Sequence, residues 1–204
     1  MNEVTVEQAA FLNQYTVGEW KFNQKTGLVD IKGHFDINLE VREIKAPLGT
    51  ITGDFYCAHN RLTSLKGGPV VVLGNFRCSH NFLKSLEHAP LIVKKDFDCS
   101  DNILESLKNS PKEVGGNFHC YENNLESLDG VTRVIGADFN CARNSKLKSL
   151  AGCPEKVGRY FNCDAELVGL TGKVYLGVIF LKITPPSIDW ITYMLELLNV
   201  INKK

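Results

Sequence analysis

The sequence predicts an α/β solenoid, a repeat fold in which short parallel strands stack into a continuous sheet. Two observations predict it: a repeated Phe-x-Cys tripeptide, and a constant pattern of Asn and Leu that follows each tripeptide. The spacing between copies is 21 residues four times and then 22, with copies beginning at Phe55, Phe76, Phe97, Phe118, Phe139 and Phe161. A unit of this size cannot bury its apolar residues alone, so neighbouring copies must stack.

Composition restricts the classes of function. Among 204 residues, Lys and Arg number 23 and Asp and Glu number 23, so no net basic field attracts a polyphosphate backbone. The hydrophobic share is 44%, as in folded globular proteins, and no apolar stretch is long enough for a membrane span. The N-terminus has no basic-then-apolar secretory signal. We therefore expect a cytoplasmic protein that binds neither nucleic acid nor a membrane.

Each copy is expected to form one short strand followed by a turn. Phe and Cys lie two residues apart and point to the same side of a strand, so both face inward and the residues flanking them face outward. An Asn three residues after the Cys in the first five copies can satisfy backbone groups where the chain leaves the strand, and stacked copies would form a ladder. These residues are Asn60, Asn81, Asn102, Asn123 and Asn144. Two Leu residues and then a Val or Ile close the back of the coil.

The pattern Phe-x-Cys-x-x-Asn-x-Leu resembles the signature Leu-x-Leu-x-x-Asn-x-Leu of leucine-rich repeat proteins, with Phe and Cys at the two strand positions. The short period and the Pro-x-x-Val linker are similar to the compact bacterial and phage-type repeats of that family. The resemblance implies a parallel β-sheet on the concave face and a mostly irregular convex side. One departure is that the first consensus Leu, present as Leu73, is replaced in the later copies by Lys94, Gly115, Gly136 and Gly158.

The two ends are expected to cover the solenoid. Residues 1–34 predict an N-terminal cap, because Thr5 and Gln8 have the form of a capping box that opens a helix, and a hairpin follows around Gly27. Residues 35–183 form the predicted solenoid, whose last rung is the apolar stretch 174–183. Residues 184–204 predict a C-terminal capping helix with apolar residues around much of its circumference.

The cysteines are predicted to be core residues rather than chemical groups. Six of the seven occupy the inward position of a rung, where Cys serves as a small hydrophobe, and Cys153 lies in a linker. A zinc site would have to use the pairs Cys57 with His59 and Cys78 with His80, whose Cys members face inward, so the ligands are poorly placed. No nucleotide-binding or catalytic motif occurs, so we expect neither a cofactor nor enzymatic activity.

The candidate binding residues are the outward side chains that differ between copies. The residue between Phe and Cys and the residue after Cys vary in type, and aromatic and Arg side chains are common anchors of protein interfaces. The residue before each Phe is mostly a short polar group, expected only to solvate the strand surface. The candidates are Tyr56, Arg77, Asp98, His119, Tyr121, Asn140, Tyr160 and Asn162.

These residues predict a non-enzymatic protein–protein recognition module that binds a protein partner through the concave face. A sharper version of this hypothesis is that the module inhibits a host enzyme or defence factor by covering it. The alternative is a self-associating structural protein that forms a homodimer through its C-terminal helix.

Overall fold

The computed structural model of the chain describes residues 3–38 and 40–164, together with a strand at 180–181. In this part of the chain the fold is a parallel β-solenoid of about six turns with one helix. The repeat predicted from the Phe-x-Cys spacing is confirmed, because each copy occupies one turn and pairs in register with the copies before and after it.

The N-terminal region forms the predicted helix and hairpin. Helix α1 (Val6–Tyr15) begins with a capping box, in which the Thr5 hydroxyl accepts from the Gln8 N–H and the Gln8 side chain accepts from the Thr5 N–H. Strands β1 (Thr16–Asn23) and β2 (Leu28–Asp36) then pair antiparallel along their whole length. The helix packs its aromatic side chains on the first turn, since the Phe11 and Phe35 ring centroids lie 5.9 Å apart.

Every turn contributes two short strands rather than the single strand expected from the sequence. One row, here called the Val sheet, consists of β3 (Leu48–Ile51), β5 (Val71–Val72), β7 (Ile92–Val93), β9 (Glu113–Val114), β11 (Val134–Ile135) and β13 (Lys156–Val157). The other row, here called the Phe sheet, consists of β4 (Phe55–Tyr56), β6 (Phe76–Arg77), β8 (Phe97–Asp98), β10 (Phe118–His119), β12 (Phe139–Asn140), β14 (Tyr160–Asn162) and β15 (Phe180–Leu181).

Strand β2 joins the two rows. Its first half pairs with β3, where Val29 lies opposite Leu48, and its second half pairs with β4, where Phe35 lies opposite Phe55. Position 35, at which the predicted solenoid begins, is therefore part of the hairpin strand itself. In each later turn the chain bends between the Val strand and the Phe strand. The two halves of β2 are therefore each followed by a separate row of parallel strands.

Two expectations about secondary structure differ from the fold. The description as α/β does not hold for the described residues, because α1 is the one helix among them and the turns are built of strands. The side expected to be irregular instead carries the Val sheet, since β-branched residues such as Val72 and Ile135 favour extended backbone. The predicted C-terminal helix at 184–204 lies outside the described residues, whereas β15, within the predicted last rung, pairs in parallel with β14.

The core is a stack of identical side chains. Rings of Phe35, Phe55, Phe76 and Phe97 follow one another with centroid separations of 5.8, 5.1 and 5.3 Å and nearly parallel planes. The six rung cysteines are fully buried beside this stack, which confirms their role as core residues. Burial raises the pKa of these thiols, to about 12 for Cys163, and keeps them in the unreactive protonated form.

A ladder of buried asparagines, here called the Asn ladder, confirms the prediction made for the residue three positions after Cys. In Asn102, the side-chain oxygen accepts from the Leu83 N–H of the preceding turn at 3.0 Å. Its amide nitrogen donates to the carbonyls of Cys78, Cys99 and Ser100 at 3.0–3.2 Å. The same contacts recur with Asn60, Asn81, Asn123 and Asn144.

A second ladder, here called the Asp/Asn ladder, corrects the expectation that the residue before each Phe only solvates the surface. Each side-chain oxygen accepts a hydrogen bond from the backbone N–H of the equivalent residue one turn later, at 2.7–3.2 Å. The accepting residues are Asp54, Asn75, Asp96, Asn117 and Asp138. The ladder begins at His34, whose Nδ1 accepts from the Asp54 N–H at 3.0 Å. These bonds satisfy donors at the bend, where the sheet pairing is interrupted.

Candidate partner-binding surface

The outward side chains of the Phe sheet form one continuous column, as the sequence predicts. Phe55 and Cys57 are fully buried, whereas Tyr56 between them is half-buried and faces away from the core. The strands stack in register, so the equivalent residue of each turn lies beside the next. We call this set the central column: Tyr56, Arg77, Asp98, His119, Asn140 and Asn162.

The first two members of the central column hold each other in place. The guanidinium carbon of Arg77 lies 5.5 Å from the centroid of the Tyr56 ring, a cation–π contact. The Tyr56 hydroxyl donates to Oδ2 of Asp54 at 2.9 Å. Burial raises the pKa of Tyr56, and its hydrogen bond to Asp54 raises it further, so the phenol stays neutral. Arg77 remains exposed above this fixed base.

The middle of the column carries an acid and an aromatic pair. Asp98 accepts hydrogen bonds from the Ser100 hydroxyl at 2.6 Å and from the Ser100 N–H at 3.0 Å. His119 and Tyr121 make an edge-to-face contact with ring centroids 6.2 Å apart. The structure therefore brings Asp98, His119 and Tyr121 together on two adjacent turns.

Two side chains of the column carry polar atoms that are inaccessible to solvent and have no hydrogen-bond partner. These atoms are Nδ1 of His119 and Oδ1 of Asn162. The neighbouring Asn140 differs, because its Oδ1 accepts from the Ala142 N–H at 3.1 Å. A buried polar atom without a partner is costly, and such atoms are uncommon in folded proteins.

The residue after Cys contributes less surface than the sequence suggested. Ser79, Ser100 and Ala142 are 6%, 0% and 7% exposed, so these three positions cannot serve as variable contact residues. At Ser100 the cause is visible, since the Asp98 carboxylate folds over it to accept its hydrogen bonds. Tyr121, which is large, is the candidate from this position that reaches the surface.

The remaining candidate, Tyr160, belongs to a different column. It occupies the position before Phe161, follows Asp138 in the Asp/Asn ladder, and donates its N–H to Oδ1 of that residue at 3.1 Å. Its side chain is 46% exposed. It therefore flanks the central column rather than extending it.

Beside these positions runs a row of charged residues that the sequence interpretation missed. His59, His80, Asp101, Glu122 and Arg143 follow one another on successive turns, all with φ between 50° and 57°. The His59 and His80 rings stack at 4.2 Å, Nε2 of His80 lies 3.5 Å from Oδ2 of Asp101, and Arg143 pairs with Glu122. The signal in the sequence was a polar residue at each of these positions at the repeat spacing.

The two acids in this row interact directly. Burial raises the pKa of Asp101, and its hydrogen bond with Glu122 raises it further. Hydrogen bonds with Asp101 and Arg143 lower the pKa of Glu122. The hydrogen bond between the two acids therefore favours the protonated form of Asp101 and the ionised form of Glu122.

Outside the Phe sheet, the described chain has one open groove and few groups that could carry chemistry. No group of three or more His, Cys, Asp or Glu side chains is placed to bind a metal within residues 3–38 and 40–164. Over the same part of the chain, no helix has the length and hydropathy needed to cross a bilayer. An open groove of about 660 Å³ lies between α1 and residues 40–45, and the ion pair of Glu7 with Lys45 lies along it.

Comparisons of this chain with protein-family models, with curated proteins and with solved structures gave no match.

Proposed function

We propose that this protein is a non-enzymatic recognition module that binds a protein partner through the outer face of the Phe sheet. The proposal includes a solenoid of the leucine-rich repeat type, with the Phe sheet on its concave side. The contact residues would be the central column with Tyr121 and Tyr160 at its flanks. Inhibition of a host enzyme or defence factor by covering it is a narrower form of the same proposal.

The observation that supports the proposal is the contrast within each strand. Phe and Cys are repeated in all six copies and buried, whereas the residue between them is Tyr, Arg, Asp, His, Asn or Asn. Packing constrains the inward positions, and no packing requirement explains the mixture of aromatic, cationic and acidic side chains outside. Tyr and Arg are the residues that most often dominate binding energy at interfaces.

The unpartnered atoms of the column add a second argument. Nδ1 of His119 and Oδ1 of Asn162 lack a partner within the described chain. Both atoms are inaccessible to solvent, so a partner could reach them only if the His119 or Asn162 side chain rotated outward on binding. Each hydrogen bond gained in that way would contribute about 1 kcal/mol to binding. Both atoms belong to the column that the sequence singles out for its variability.

The test is affinity capture from lysate of the native cell, with mass spectrometry of the retained proteins. The bait is the native chain, and the comparison variant combines Arg77→Glu, His119→Ala and Tyr121→Ala. A matched control changes two exposed residues of the Val sheet and the exposed residue before β9, in the substitutions Val134→Ala, Lys156→Glu and Lys112→Glu. All three proteins should melt at similar temperatures, because none of these side chains belongs to the core.

We expect a partner that binds the native chain and the Val-sheet control but not the Phe-sheet variant. Equal capture by all three proteins would refute binding through this face. The alternative of self-association through residues 184–204 stays a prediction, because that segment lies outside the described residues.

A further inference from the structure

We propose that two copies of this chain associate through β1, the outer strand of the N-terminal hairpin, as a two-fold symmetric antiparallel pair centred on Trp20. This interface is separate from the Phe-sheet surface and does not depend on the proposed function. Three features of the hairpin support it: an unpaired backbone edge, a charge pattern that is complementary to itself, and an aromatic side chain at the centre.

The outer edge of β1 has hydrogen-bonding groups without partners. The Thr16 N–H turns away from β2 and donates to the Leu12 carbonyl at the end of α1. In an antiparallel pair, alternate residues direct both backbone polar groups toward the same neighbour. Gly18, Trp20 and Phe22 therefore point their N–H and C=O groups outward, and no described residue pairs with these groups. Such an edge is a template for another strand.

The charges of β1 select one register for self-pairing. Glu19 and Lys21 flank Trp20, and both are exposed on the same face of the strand. A pair centred on Trp20 places Glu19 opposite Lys21 of the second copy, twice by symmetry. A pair centred on Glu19 or on Lys21 places that residue opposite its own copy, and like charges directly opposite are destabilising. Registers centred on Gly18 or on Phe22 avoid this repulsion but form no ion pair between residues of the two strands. The Trp20-centred register is therefore favoured.

The opposite face of the strand supplies apolar contact. Trp20 and Phe22 are half-buried against the core, and the Trp20 indole N–H donates to Oδ1 of Asn13 in α1 at 2.8 Å. The helix thus contacts this face of the hairpin, and beyond Thr16 no described residue pairs with the outer edge of β1. Around the two-fold axis the two Trp20 rings become neighbours, which removes further aromatic surface from water.

Lysine on an edge strand commonly prevents association, so the arrangement here is informative. A single Lys would repel its own copy, but Glu19 beside it turns the repulsion into two ion pairs. The interface spans about five residue pairs and is small by the standards of stable dimers. We therefore expect a concentration-dependent dimer with a dissociation constant on the order of 10–100 μM.

The test is sedimentation equilibrium of the full chain from about 5 to about 500 μM, a range that brackets this constant. The native protein should rise from the monomer mass of 22.7 kDa toward twice that mass. Glu19→Lys and Lys21→Glu each create like-charge contacts at both symmetry-related positions, and each should weaken the dimer at least about tenfold. The double variant Glu19→Lys with Lys21→Glu restores opposite charges and should dimerise like the native chain.

Lys25→Glu is the matched control, because it makes the same charge change in the hairpin turn, outside the paired residues. It should leave the association unchanged. Circular dichroism of every variant verifies the fold, and misfolding of the four variants is unexpected because the changed side chains are exposed. A native protein that stays monomeric to about 500 μM overturns the proposal. So does a dimer that survives both single reversals, or a double variant that fails to recover.

Discussion

The Asn ladder and the Asp/Asn ladder meet the same requirement in different surroundings. In both, a side-chain oxygen accepts a hydrogen bond from the backbone N–H of an adjacent turn. The Asn ladder is buried and also uses its amide nitrogen, which donates to three carbonyls at Asn102. The Asp/Asn ladder is half-buried and needs only the acceptor oxygen to hold the next turn.

This difference explains which residue types each ladder accepts. Only Asn supplies an acceptor and two donors at that size, and Asn occupies this position in the first five of the six copies. The second ladder alternates Asp and Asn over its five accepting positions, so no two carboxylates occupy adjacent turns. Adjacent turns are about 4.8 Å apart, a distance at which like charges in a partly buried site repel appreciably. The need for a side-chain acceptor oxygen explains why these positions are Asp or Asn, and repulsion between carboxylates explains why the two residue types alternate.

The largest effect is expected from Asn102→Asp. The carboxylate would keep the acceptor for the Leu83 N–H but would face the carbonyls of Cys78, Cys99 and Ser100 without a proton to donate. The two amide hydrogens that these three carbonyls share would be lost, and a charge would be buried, so the free energy of unfolding should fall by more than about 3 kcal/mol. Urea denaturation followed by circular dichroism measures it. A loss below about 1 kcal/mol would contradict this account of the ladder.

The same substitution in the other ladder should cost much less. In Asn75→Asp, a carboxylate oxygen still accepts from the Asp96 N–H, but the new charge lies between Asp54 and Asp96. We expect a loss of about 1 kcal/mol in the free energy of unfolding at pH 7, because two like-charge contacts form in a half-buried position. The cost should shrink at high salt, since these groups are partly accessible to screening ions.

Asp96→Asn is the matched control for that variant. It preserves the acceptor for the Asn117 N–H and removes a charge, so its free energy of unfolding should stay within about 0.5 kcal/mol of the native value. In the double variant Asn75→Asp with Asp96→Asn, the new carboxylate has no charged neighbour at position 96 and is repelled only by Asp54. About half of the loss in free energy of unfolding should therefore be recovered. A cost of Asn75→Asp that does not respond to salt or to Asp96→Asn would mean that repulsion is not its cause.

The sequence predicted the parts of the fold that depend on chemistry within one copy. A Cys and a Phe two residues apart determine the inward face, and an amide after the strand is the natural partner for turn backbone groups. The helix start at Thr5 and the hairpin around Gly27 are likewise local signals, and both were predicted correctly.

Features that depend on how copies stack were missed. Asp54 and Asn75 look like ordinary surface residues within their own copies, and their role appears only when the next turn places its N–H beside them. After β3, the Val strands have two residues each, too short for an alternating pattern to show in the sequence. The positive φ of His80 and Asp101 was also not predicted, because glycine is the residue that usually indicates such a backbone conformation in a sequence.

The candidate site was predicted to a similar degree and for the same reason. The central column follows from the alternation of a strand, so residues such as Arg77 and His119 were identified from sequence alone. The burial of Ser100 depends on the Asp98 side chain folding over it, which no spacing rule encodes. The column's binding role stays a prediction, since nothing in the fold identifies a partner.

The smallest expected effect concerns the pH dependence of the Asp/Asn ladder at its first carboxylate. Burial is the largest influence on Asp54 and acts to raise its pKa, but hydrogen bonds from the Asn75 N–H and the Tyr56 hydroxyl outweigh it, so the pKa is lowered. A carboxyl with a lowered pKa in the folded state stabilises the fold above its unfolded value of about 3.9, and that contribution is lost as the pH falls through the folded value.

Between pH 5 and pH 3, the native chain should lose about 0.5 kcal/mol more in free energy of unfolding than Asp54→Asn, which keeps the acceptor but cannot titrate. Urea denaturation of both proteins across this range measures the difference. A variant that loses as much as the native chain would show that hydrogen bonding in this ladder does not favour the ionised form of Asp54.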